Sequence, residues 1–74
     1  MLFRSIFAHP DLDRVWVLEP EASRVVEFTT GGEYARQYVF PPNVIRQGVG
    51  LHVDAQTEEM RVLTSEHVLS VKMR

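Results

Sequence analysis

The sequence predicts an all-β fold built from two copies of one small antiparallel meander. Three observations predict it. Apolar residues come in short bursts rich in β-branched and aromatic side chains; proline, glycine and aspartate separate the bursts; and the pattern of the first half returns in the second.

The first burst covers residues 2–8 and ends at His9-Pro10-Asp11-Leu12-Asp13. That segment reads as a tight turn, because proline presets φ and aspartate bonds to nearby backbone. Arg14-Val15-Trp16-Val17-Leu18-Glu19 follows as a strand, broken by Pro20-Glu21-Ala22-Ser23. Arg24-Val25-Val26-Glu27-Phe28-Thr29 is the third strand. Thr30-Gly31-Gly32-Glu33 is the strongest hairpin signal, since glycine supplies the positive φ such turns require. Tyr34-Ala35-Arg36-Gln37-Tyr38-Val39-Phe40 is the fourth strand, and Pro41-Pro42 ends the sheet because neither proline can donate to a ladder. Residues 43–47 form a connection. Strands resume over 49–54, 60–64 and 68–73, with turns over 55–59 and 65–67. A helix over 56–67 is the alternative for a stretch rich in Glu, Met, Arg and Leu, but the repeat favours strands.

A shift of about 45 residues superposes the two halves. Ser5-Ile6-Phe7-Ala8 falls on Gly50-Leu51-His52-Val53, and Asp13 to Leu18 falls on Glu58 to Leu63. After a slightly shorter turn, Val25-Val26-Glu27-Phe28 falls on Val68-Leu69-Ser70-Val71. Val15-Trp16-Val17-Leu18 and Tyr38-Val39-Phe40 are continuous apolar runs, as expected of strands covered on both faces. Four-stranded antiparallel meanders of this period that stack face to face are β-propeller blades. The chain then divides into a blade-like unit over 1–40, a connection over 41–47 and an incomplete second unit over 48–74, about two blades.

The first unit resembles one NHL-type β-propeller repeat. The residues that carry the likeness are Ile6-Phe7-Ala8-His9-Pro10-Asp11, Val15-Trp16-Val17-Leu18-Glu19, Ser23-Arg24-Val25-Val26-Glu27-Phe28 and Gly31-Gly32-Glu33-Tyr34. Arg24 matches the arginine that opens the third strand in that family. Glu19 stands where aspartate is usual, and Ala22-Ser23 where asparagines are usual. The second unit matches in its first strands. The resemblance implies a fold more than a function.

Seventy-four residues make at most one small domain, and with no cysteine neither a disulfide nor a thiolate metal site can brace it. The formal net charge of −2, with both signs interspersed, gives no reason to expect nucleic acid or an anionic membrane as partner. No apolar run approaches the roughly 20 residues that span a bilayer. Residues 1–8 are too short for a signal peptide, so any export signal is expected outside this chain. A propeller needs at least about four blades to close, and repeat units bury their faces only against neighbours. The expected partner is therefore another copy of the chain, roughly three copies making about six blades, or further blades of a longer parent chain.

No catalytic motif is visible. Ser5, Ser23, Ser65 and Ser70 lack a nucleophile-elbow context, and Gly31-Gly32 and Gly48-Val49-Gly50 precede no helix that would cradle phosphate. His9, His52 and His67 lack zinc-ligand spacing. Asp11, Asp13, Glu19, Asp54, Glu58 and Glu59 sit at turns, where carboxylates serve the local backbone; a hard-cation site would need oxygens gathered from several blades. Trp16, Phe28, Tyr34, Tyr38 and Phe40 read as core, because interleaved basic residues for base stacking are missing. The loops over 20–23, 41–47 and 65–67 fall on one side of the disc, where Arg46 and His67 are the polar residues to test for ligand contact. The reading is a non-catalytic binding or self-assembly scaffold without cofactor. The alternative is a fragment of a lactonase-like propeller hydrolase with a channel metal, for which only His52 and Asp54 stand on an innermost strand.

Overall fold

Every burst of apolar and β-branched residues becomes a strand, because each is short, bounded by turn-formers and supplied with an adjacent strand to pair with. The computed structural model describes residues 5–73. Leu2, Phe3 and Arg4, expected in the first burst, lie outside the described residues. The strands are β1 (Ser5–His9), β2 (Arg14–Glu19), β3 (Arg24–Thr29), β4 (Tyr34–Val39), β5 (Gly48–Asp54), β6 (Glu59–Thr64) and β7 (Val68–Lys72). They form a four-stranded sheet in the order β1-β2-β3-β4 and a three-stranded sheet in the order β5-β6-β7, all neighbours antiparallel. The protein is all-β, two blade-like meanders; residues 56–67 are turn and strand, not helix. No helix among the described residues is long and apolar enough to cross a membrane.

The turns follow their residues. Pro10–Leu12 and Pro20–Ala22 each make one 3-10 turn, started by a proline whose fixed φ suits it. Gly32 takes φ +93° in the β3–β4 hairpin, a value that a side chain would strain. Asp13 (φ 57°) and Glu58 (φ 58°) are both left-handed and occupy the same place in the two meanders, just before β2 and just before β6.

Strand register repeats as well. Ile6 pairs with Val17 and Val17 with Val26; Leu51 pairs with Val62 and Val62 with Leu69. Ala8, Val15 and Phe28 form the next row, matched by Val53, Met60 and Val71. On the other face Phe7, Trp16 and Glu27 correspond to His52, Arg61 and Ser70.

The buried faces are not the equivalent ones. The first sheet buries Trp16, Leu18 and Val25, whereas the second buries Leu51, Val53, Met60 and Val62, which occupy the positions of Ile6, Ala8, Val15 and Val17. These residues form one core between the sheets, and β5 lies against β1 and β2. The same meander is therefore used twice, front of one against back of the next, as cards are stacked. Ile45, placed by sequence in a connection, is fully buried in this core, and its carbonyl accepts from Gly48 N–H at 2.9 Å. Two apolar residues, Val44 and Ile45, in a proline-led loop give no periodicity by which to assign either a face.

Candidate functional site

Glu27 sits within β3 between Val25-Val26 and Phe28, in a strand opened by Arg24, and is only 6% exposed. A carboxylate cannot be buried there without partners. Cross-strand pairing supplies them, because Trp16 and Arg36 stand directly opposite it on the same face. Its Oε1 accepts from Trp16 Nε1 at 3.1 Å and from the Tyr38 hydroxyl at 2.9 Å, with Arg36 Nε at 3.8 Å. Its Oε2 accepts from Arg14 Nε at 3.1 Å. The cluster lines an open depression of about 300 Å³, to which Glu58 and Met73 from the second meander also contribute.

This arrangement holds charge still. Three donors, Trp16, Tyr38 and Arg14, occupy both carboxylate oxygens of Glu27 and fix its orientation. Burial pushes the Tyr38 phenol up to about 12, helped by its hydrogen bond to Glu27 and by that carboxylate's negative charge. Tyr38 thus stays protonated at neutral pH and serves as a donor. Arg36 remains largely exposed and has guanidinium donors to spare at the rim of the depression.

Arg46 and His67, the two ligand-contact candidates read from the sequence, border one depression of about 320 Å³. Arg46 leaves the connection between the sheets, and His67 the β6–β7 turn. Ser65 joins the two segments by donating its backbone N–H to Gln47 O at 3.2 Å and its hydroxyl to Gln47 Oε1. Arg46 Nη1 donates to Asn43 Oδ1 at 3.3 Å, and His67 Nε2 lies 3.8 Å from Glu66 Oε1. Arg46 also edges a second depression, beside Pro20, Glu21 and Ser23.

The remaining polar residues singled out by sequence are spread out. His52 is exposed with its ring 5.2 Å from that of Phe7. Asp54 accepts from the backbone N–H of Gln56 (2.9 Å) and Thr57 (3.3 Å), which holds its carboxyl below the usual range. Asp13 instead accepts from the Thr30 hydroxyl at 2.6 Å. Glu19 and Arg24 pair at 2.6 Å. His9 Nδ1 is buried without a hydrogen-bond partner. Among the described residues no group of three or more His, Cys, Asp or Glu is placed to hold a metal ion.

Sequence reading missed the Glu27 cluster. Its signal was a lone carboxylate between Val26 and Phe28 within a predicted strand, which needs hydrogen-bond partners wherever that face is buried. Comparison with protein-family models, with curated proteins and with solved structures found no significant match.

Proposed function

We propose that the chain is a non-catalytic pair of β-propeller blades that serves as a binding or self-assembly scaffold, completed by other copies or by further blades of a longer parent chain. One observation carries this reading: two meanders of identical register are stacked front to back, which leaves the back of the first and the front of the second uncovered. Ile6 (57% exposed), Val39 (69%) and Val68 (62%) project from these uncovered faces. Apolar sheet faces and open strand edges in water favour association. The NHL-type resemblance of the first unit agrees with a blade. The three hydrogen bonds that hold Glu27 and the protonated Tyr38 suit a structural role for the cluster, and the Arg46–His67 depression is where a ligand would be sought.

Light scattering at micromolar concentration tests the requirement for neighbours. The expected result is a mass several times that of one chain. A stable, folded monomer would sink the reading.

A further inference from the structure

The two uncovered faces are not equivalent, and their residues indicate how they are covered. On the first sheet the open back carries Ile6, Ala8, Val15, Val17, Val26 and Phe28. In the second sheet the matching positions are Leu51, Val53, Met60, Val62, Leu69 and Val71, and those residues pack into the core against the front of the first sheet. Each of these six strand positions is thus apolar on the open back too. Val26 is already buried among its neighbours, Val15, Val17 and Phe28 are half-buried, and Ile6 and Ala8 are exposed.

The open front of the second sheet supplies the complement. Leu63 and Val68 pair across β6 and β7 and occupy the places that Leu18 and Val25 hold in the internal contact. They are 38% and 62% exposed. Arg61 occupies the place of Trp16, another long side chain, and its charge is met within its own face by Glu59 (3.1 Å) and Asp54 (3.8 Å). That face therefore offers an apolar row beside a self-neutralised polar one.

We infer that copies of this chain join head to tail, the back of the first sheet of one copy on the front of the second sheet of the next, repeating between chains the contact that each chain makes within itself. The inference rests on the self-assembly reading above and adds to it the two surfaces and their polarity. A contact between unlike faces is heterologous, so its repetition closes into a ring where the rotation allows, whereas a face that met its own copy would stop at a two-fold dimer.

Two single variants test the polarity. Ile6→Lys blocks the open back, and Val68→Lys blocks the open front; both positions are exposed in the single chain, so folding is retained, as circular dichroism checks. A lysine buried in either contact would be unpaired. Each variant alone is expected to lose the wild-type oligomer and run as a monomer. Mixed, they are expected to form a 1:1 dimer, because each retains the one face the other needs. Val17→Lys and Leu63→Lys repeat the test should either first variant misfold. If Val68→Lys alone still dimerises, back meets back and the inference fails. It fails equally if either variant assembles as the wild type does, or if the mixture gives no 1:1 complex. A wild-type chain that is itself monomeric overturns the assembly reading as a whole, a result distinct from failure of the polarity alone.

Discussion

The indole N–H of Trp16 donates to the buried carboxylate of Glu27 at 3.1 Å, across one rung of the β2–β3 ladder. The same carboxylate is held by Tyr38 and Arg14, so a single side chain ties β2, β3 and β4 together on the face that meets the second sheet. Removing it takes the acceptor away from the buried Trp16 N–H. Glu27→Ala is expected to cost about 2 to 3 kcal/mol, chiefly for the unpaired Trp16 donor, because Arg14 and Arg36 are exposed enough to turn to solvent. Glu27→Gln keeps an acceptor oxygen and is expected to cost about 1 to 2 kcal/mol. Urea unfolding followed by fluorescence of Trp16, the single tryptophan, measures both. Equal stability of Glu27→Ala and wild type would show that the cluster contributes nothing.

Tyr38 makes stability depend on alkaline pH. Its folded pKa, raised to about 12, lies above the unfolded tyrosine value of about 10. Below pH ~10 both states are protonated and its contribution is complete; as pH rises toward 12 the unfolded chain ionises first and that contribution is lost. The decline between about pH 10 and 12 should be shallower in Tyr38→Phe than in wild type. Near neutrality the same variant should be less stable by about 1.5 kcal/mol, for the lost hydrogen bond to a carboxylate. Parallel stability profiles for the two proteins would contradict this account.

Gly48 lies against Leu18 of the first sheet with little room for a side chain. A Cβ there would meet Leu18 Cδ2 at 3.0 Å and the Ile45 carbonyl at 3.1 Å, whereas at Gly50 the nearest neighbour would be Leu63 Cβ at 3.7 Å. Gly48→Ala is therefore expected to lose about 1 to 2 kcal/mol, because the backbone oxygen cannot yield as a side chain can. Gly50→Ala should stay within about 0.5 kcal/mol of wild type. Thermal melts of the pair decide whether packing, rather than the general effect of alanine in a strand, sets the difference.

Ser23 is left-handed (φ 56°, ψ 43°) between the Pro20–Ala22 turn and β3. Its backbone is fixed from both sides, by Ser23 N–H to Pro20 O at 3.1 Å and by Phe40 N–H to Ser23 O at 2.8 Å. Asparagine and glycine adopt this conformation more readily than serine. Ser23→Asn should raise stability by about 0.5 kcal/mol, and Ser23→Val should lower it by about 1 to 2 kcal/mol. A melting temperature ordered Val above Asn would contradict the backbone argument.

Local chemistry was legible residue by residue. Pro10, Pro20 and Gly32 announced their turns, and Val15-Trp16-Val17-Leu18 its strand, because φ restriction and β-branching act within a few bonds. The correspondence of the two meanders was legible as well: the turn lengths that set register are counted along the chain, so Leu51 to Val62 could be matched to Ile6 to Val17 before any coordinates. Glu19, read with the turn carboxylates that serve the local backbone, instead pairs with the Arg24 side chain across the turn.

What only the tertiary structure decided is which side of each meander is hidden. Val15-Trp16-Val17-Leu18 is apolar on both sides, so alternation carries no sign of the covered face; that depends on where the other sheet docks. The docking also drew Ile45 out of a loop into the core and put Arg46 beside His67. It further brought Glu58 and Met73 to the depression beside Glu27. Each of these is a meeting of residues remote in sequence, fixed by the packing of two surfaces and not by any preference of the residues themselves.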